Sequence, residues 1–368
     1  MTLSSSFGGT ARGGVPPLEV RLLRNGIVES RHRVHAVVCD GRGRVLMRAG
    51  DPQQLSFIRS ALKPFQAQVF VSSGAAEQGG HDDRALAIAC ASHAGEAAQA
   101  REAFKILWKA DLDTEQLQCP TPKGRQSPLE HDCSGKHAAF LATCKRMQWP
   151  LESYLQLDHP LQQQVLKRVA ELLGMPAAEL LAARDDCGAP TLQLQLSQMA
   201  LLFAHLGASE QPELERLSRA MLAHPDLVAG EGRFDTVVMR SGHGQVLSKG
   251  GAEGIQCLSR VGEGLGLAIK VEDGASRAKH AVALHPPVAV GGQDGRASVG
   301  SGRNSQLVPA DLRDVLRQGH GADVIEPDRN DLSIDADGSD DAGNREHFGD
   351  LALEHAGCDG NNDLRISS

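Results

Sequence analysis

The stretch Arg59-Ser60-Ala61-Leu62-Lys63-Pro64 decides how this chain folds and what chemistry it carries. A serine and a lysine three positions apart share one face of a helix, so the spacing predicts a helix over 60–72 with the two side chains in reach of each other. A serine hydroxyl is a poor nucleophile until its proton is taken. A lysine takes it only where burial or a second cation lowers its pKa toward neutrality. On its own the spacing also describes an ordinary solvated helix face. The fold must supply the rest of the site.

Two further segments extend the pattern. Ala91-Ser92-His93-Ala94-Gly95-Glu96 follows the apolar, helix-like stretch from Ala85 to Cys90, and Ser248-Lys249-Gly250-Gly251 ends the strand-like run Gln245-Val246-Leu247. Serine β-lactamases and penicillin-binding proteins combine these parts in this order: S-x-x-K on a helix, a second serine on a loop, and K-[TS]-G on a strand. A second lysine disfavours protonation of Lys63 through like charge and orients the carboxylate of a substrate. Here Lys249 precedes Gly250, where those enzymes carry a threonine or serine. The missing hydroxyl argues for a different substrate.

His131-Asp132-Cys133-Ser134-Gly135-Lys136-His137 is answered by Asp185-Asp186-Cys187-Gly188-Ala189-Pro190. Two thiolates, a nitrogen ligand and an open position make up a familiar zinc site, and Cys133 with Cys187 is the expected pair. Spacing alone points to His137, one helical turn from Cys133, as the nitrogen ligand. The competing reading is two small buried residues and a capping histidine. Cys39, Cys90, Cys119, Cys144, Cys257 and Cys358 show no C-x-x-C spacing, and most of them read as small core residues.

Taken together, F-x-R-S-A-L-K-P-F-Q, A-S-H-x-G-E, C-S-G-K-H, C-G-A-P-T, R-F-D-T and K-G-G-A-E-G resemble the asparaginase II family, the rhizobial-type L-asparaginases. The resemblance runs from about Glu19 to about Lys279. It implies an α+β fold, a serine β-lactamase and penicillin-binding-protein-like sandwich of a mixed, mainly antiparallel sheet with helices. It also implies two Ser-Lys tandems, Ser60 with Lys63 and Ser92 with Lys249, and a zinc ion (Zn2+) on Cys133, Lys136, Cys187 and water. His137 and Asp185 then stand around that ion. The implied reaction is hydrolysis of L-asparagine to aspartate and ammonia through an acyl-enzyme. Ser60 is the expected nucleophile, and Ser92 the relay. Arg59, His93 and Gly250 are candidates for substrate binding, with Arg59 reading equally well as an exposed helix arginine and His93 and His137 competing for a proton-shuttle role. The zinc is expected to order the pocket as a template. Two other readings remain at this stage: a β-lactamase-like hydrolase acting on another amide, and an inactive zinc-binding relative with a disrupted C-terminus.

Composition agrees with small-molecule chemistry. The 368 residues carry a net charge of -8 and 3% aromatic residues, which supplies neither the basic field nor the stacking platforms of a nucleic-acid binder. No apolar run approaches the ~20 residues of a membrane span. The expected partners are therefore the small-molecule substrate L-asparagine, with no nucleic acid and no membrane, and a homodimer is the assembly to test. The Ser/Gly/Pro-rich lead over 1–17 lacks the apolar core of a signal peptide, and with no disulfide pattern a cytoplasmic setting is expected.

Alternation predicts strands at Glu19 to Leu23, Val34 to Asp40, Arg44 to Arg48, Phe234 to Met239, Gln245 to Ser248 and Leu265 to Val271. Helices are expected at Asp82 to Ala91, around Met199 to Ala204 between a Ser197 cap and Gly207, and from Pro160 to Gly174. Gly262-Glu263-Gly264-Leu265-Gly266 reads as a hairpin turn and not a phosphate loop. The catalytic domain spans 18–284. Beyond it, 285–368 is rich in Gly, Asp, Asn and Arg and loses apolar periodicity, so it reads as a disordered, atypical terminus.

Overall fold

A computed structural model describes residues 15–24 and 27–284, together with the backbone of two short strands, β10 (Ala322–Ile325) and β11 (Ser333–Ala336), which pair antiparallel. The expectations for 1–17 and 285–368 fall mostly outside the described residues. The main sheet draws on both ends of the domain. Strands β1 (Leu18–Arg24), β2 (Ile27–Asp40) and β3 (Val45–Ala49) come from the start, and β7 (Val246–Gly251), β8 (Ile255–Arg260) and β9 (Leu265–Val271) from the end. Their order is β1-β2-β9-β8-β7, with β3 also on β2. Every described strand pair is antiparallel, so the sheet is not mixed. A second sheet of β4 (Leu55–Phe57), β6 (Pro190–Gln195) and β5 (Leu181–Arg184) brings the segment before Ser60 beside the segment around Cys187.

Helices fill the middle of the chain: α1 (Lys63–Ser72), α2 (Ala75–Gln78), α3 (Asp83–Ala89), α4 (Ala97–Lys109), α5 (Ser134–Met147), α6 (Pro160–Leu173), α7 (Leu196–Ala208), α8 (Pro212–Ala223), α9 (Pro225–Val228), α10 (Phe234–Ser241) and α11 (Lys279–Leu284). Period-two alternation sorts the sheet into two faces. Val37, Cys39, Leu247, Cys257 and Ala268 join the large core with α1, α3, α5 and α7, whereas Val38, Val246, Leu258, Leu267 and Ile269 join a smaller core with α10 and α11. The result is an α+β sandwich with helices on both sides of one antiparallel sheet. Helix α1 is buried from Lys63 through Val71, its polar Lys63, Gln66 and Gln68 included, which marks it as the central helix.

Most expected elements form, with instructive differences. Phe234 to Met239 is helix, not strand. Thr236-Val237-Val238 is a β-branched run, but Phe234 and Val238 lie one turn apart and pack into the smaller core, so the helical period wins. Helix α1 begins at Lys63, and Ser60 lies in a 3-10 turn (Arg59–Leu62) ahead of it. Helix α7 is capped at Gln195 and runs to Ala208, so Ser197 and Gly207 are inside it. Gly262 and Gly264 form the β8–β9 hairpin turn. Among the described residues, no helix is long and apolar enough to cross a membrane.

Candidate active site

Three elements converge on one hydroxyl. Ser92 follows the end of α3, where its N–H donates to Val228 O at 2.8 Å and the next N–H, that of His93, donates to Asp132 O at 3.2 Å. Lys63, at the start of α1, places Nζ 2.8 Å from Ser92 Oγ. Lys249, on β7, places Nζ 2.7 Å from the same oxygen and 2.9 Å from Gly250 O. Both lysines are buried, at 1% and 0% exposure, so neither charge is dispersed by water. The Ser92–Lys249 pair is thus in contact. Lys63 also turns to Ser92. The Ser60 hydroxyl has no hydrogen-bond partner among the described residues.

The two lysines differ in what surrounds them. Burial pushes Lys249 down most strongly, and Lys63 and Lys279 add like charge; Asp235 and Asp132 oppose them, leaving it at about 8. Burial is also the largest influence on Lys63, yet Cys133, Asp132 and Cys187 outweigh it and raise its pKa above the ordinary lysine value. Asp132 Oδ2 lies 3.7 Å from Lys63 Nζ. Like charge therefore acts in the opposite sense to the sequence expectation: Lys63 keeps its proton, and Lys249 is the one brought toward neutrality. Each Nζ donates to Ser92 Oγ, and once Lys249 loses its proton it stands where it can accept the Ser92 O–H while still donating to Gly250 O.

Arg59 faces the thiol segment. Its Nε donates to Asp185 Oδ1 at 2.7 Å and its NH2 group to Asp186 Oδ2 at 2.5 Å, and its own N–H donates to Thr191 Oγ1 at 3.0 Å. Its backbone holds φ at 52° immediately before Ser60, a strained conformation for a side-chain-bearing residue. His93 is buried; Nδ1 accepts from Gly95 N–H at 3.1 Å, so Nε2 carries the proton and faces Ser134 Oγ at 2.9 Å. Burial pushes its pKa to about 3, with Lys63 adding to the effect. A cavity of about 460 Å³ beside this loop is bounded by His93, Ala94, Thr121, Lys123, Arg125 and Asp132.

Cys133, Lys136, His137 and Cys187 form a buried cluster, all at 4% exposure or less. Cys187 is driven low, first by the hydrogen bond from the Cys133 thiol and then, against its burial, by Lys136 and His137. Cys133 is pushed up by that same bond and by burial. Lys136 Nζ donates to Cys187 Sγ at 3.0 Å. His137 Nδ1 lies 2.7 Å from the Tyr154 hydroxyl, but its Nε2 is buried with no partner. Two sulfurs, an amine and an orphaned imidazole nitrogen form a donor set that fits a thiophilic divalent ion. His131 and Asp132 add two donor atoms that lie within 4.8 Å of each other and of the Cys133 sulfur.

Asp132, Asp235 and Lys279 escaped the sequence reading. The two aspartates lie inside motifs that had already been picked out, H-D-C-S-G-K-H and R-F-D-T, and an acid beside the lysine network was the signal available. Lys279 offered none, being a lone lysine after a turn.

No curated protein matches this chain. A β-lactamase from Mycobacterium bovis is 12% identical, with 65% of this chain and 86% of that chain covered at a TM-score of 0.31. The native form of a protein named Mglu is 15% identical, with 67% of this chain and 62% of that one covered, also at 0.31. The profile of a protein family, L-asparaginase II, matches residues 20–297, well over half of the sequence. By that match the chain belongs to the L-asparaginase II family.

Proposed function

We propose that this asparaginase-type amidohydrolase hydrolyses the side-chain amide of L-asparagine to L-aspartate and ammonia, with Ser92 as nucleophile and Lys249 as base. The observation that carries the reading is the double approach of Lys249 and Lys63 to Ser92 Oγ, at 2.7 and 2.8 Å. Ser92 Oγ attacks the amide carbon and its proton passes to Lys249 Nζ. The same proton then moves to the departing nitrogen, which leaves as ammonia, and an ester links the aspartyl group to Ser92. Water attacks the ester and gives a proton to Lys249, which passes it to Ser92 Oγ as the ester C–O bond breaks, so that aspartate leaves and the serine hydroxyl and neutral lysine are restored. Lys63 stays charged beside the oxygen and favours its anionic form. Ser60, with a free hydroxyl, binds the substrate.

A zinc ion on Cys133, Lys136 and Cys187, with His137 and Asp185 near it, would supply a fixed positive template for the polar groups of the amino acid. The seven described cysteines are free, which suits the reducing setting of the cytoplasm. A homodimer is the assembly we propose to test by light scattering.

Ammonia release from L-asparagine, with L-glutamine alongside, tests the reading. Activity that vanishes in Ser92→Ala, and an acyl adduct trapped on Ser92 in the wild type, support it. An adduct on Ser60 overturns the choice of nucleophile, and silence from a well-folded protein overturns the substrate.

A further inference from the structure

The segment Arg233-Phe234-Asp235-Thr236 has no part in the chemistry above, yet Asp235 sits behind the strand that carries Lys249. Side chains along β7 alternate, so Leu247 and Lys249 point toward α1 and Ser92, while Ser248 and Gly250 point toward α10. There Asp235, only 8% exposed, accepts three hydrogen bonds. Ser248 Oγ donates to Oδ1 at 2.6 Å, Gln256 Nε2 donates to Oδ1 at 2.8 Å, and Gly250 N–H donates to Oδ2 at 2.8 Å. Gln256 stands opposite Gly250 in the β7–β8 register, so one carboxylate ties both strands together.

The same cluster accounts for the glycine after Lys249. A Cβ there would come within 3.0 Å of Gln256 Oε1 and 3.5 Å of both Asp235 Oδ2 and Lys279 Nζ. A threonine or serine side chain would press on the clamp. Lys279 closes it from α11, donating to Gly251 O at 3.0 Å and Ile255 O at 3.3 Å.

We propose that Asp235 is a positioning residue that clamps β7 to β8, holds Lys249 Nζ against Ser92 Oγ, and stands as the negative charge behind that lysine. This rests on the reading of Lys249 as base. The groups that face Lys249 are Lys63 from α1, Cys90 and Ser92 from the end of α3, Asp132 from the loop before α5, Asp235 from α10, Cys257 from β8 and Lys279 from α11. Burial works hardest against the charge of Asp235, but Lys249 and the three hydrogen bonds hold it below the ordinary carboxylate range. Of the two carboxylates that oppose the fall of Lys249, Asp235 acts more strongly than Asp132.

Asp235→Asn and Lys279→Met test this in opposite directions. Each is read by the pH at which kcat/KM rises on its acid side and, independently of turnover, by NMR titration of the Lys249 side chain in lysine-labelled protein. Loss of the anion lowers the Lys249 pKa, so Asp235→Asn moves both readouts down by about one pH unit. Loss of the cation in Lys279→Met moves them up. Lower activity with both midpoints unmoved would overturn the proposal, since a purely structural role predicts that result. If Asp235→Asn does not fold, the Lys279→Met shift decides alone, and its absence overturns the proposal. A wild type that releases no ammonia, while Lys249 still shifts in the variants, sinks the asparaginase reading and leaves the positioning role supported.

Discussion

Lys63 from α1 and Lys249 from β7 share one acceptor, Ser92 Oγ, at 2.8 and 2.7 Å. Two ammonium groups that close in a dry site repel each other, and the neighbours decide which gives way. Asp132 and the Cys133–Cys187 pair stand with Lys63. Lys249 has Asp235 but meets the charges of both Lys63 and Lys279, and it is the one pushed to about 8. The asymmetry assigns separate tasks to two identical side chains.

Replacing Ser92 by alanine should lower kcat by on the order of 10⁴-fold or more, as for the loss of any nucleophile. Ser60→Ala should raise KM and leave the Ser92 adduct detectable by mass spectrometry of a quenched reaction. Should Ser60→Ala instead abolish the adduct, Ser60 holds the acyl group.

Activity should follow the titration of Lys249. The base must be neutral, so kcat/KM should rise with pH through about 8 and level off above it. Lys249→Arg, charged at every working pH, should be inactive across the range. A flat profile between pH 6.5 and 9.5, about 1.5 units on each side of that midpoint, would remove Lys249 from the role.

The parts of this site legible in the sequence are those where a short spacing carries a chemical pattern. S-x-x-K, the two cysteine segments and the lysine ahead of two glycines each named residues that the fold brings into one region. What spacing could not show is which lysine meets which serine. Lys63 is three positions from Ser60 and its N–H donates to Ser60 O, which keeps the two residues on one side of the 3-10 turn, yet the long lysine side chain runs on to Ser92 Oγ. Phe234 to Met239 misled for a related reason, because a short β-branched run fits both periods until the packing partner is known.

Purified protein should carry about one zinc per chain, the stoichiometry of a single ligand set. Cys133→Ser and Cys187→Ser should each lose it by elemental analysis. Chelation should raise KM for L-asparagine more than it lowers kcat, because a template binds the substrate and the serine supplies the attack. A proportionate loss of kcat with KM unchanged would assign the metal to the chemical step.

Gly135, in the run Cys133 to His137, separates α5 from the end of α3. A Cβ there would sit 2.1 Å from Ile88 O and 2.7 Å from its carbonyl carbon, so the helices could not keep their present distance. Ile88 lies four residues before Ser92, and Gly135 lies next to Lys136. Gly135→Ala should therefore cost about 1–3 kcal/mol in unfolding free energy, the range of overpacked cores. It should also weaken zinc retention and activity together, because the strain falls on the elements that carry both. Denaturant unfolding and metal analysis on the same preparation check this. An alanine variant with unchanged stability would show that α3 and α5 part more easily than their close packing indicates.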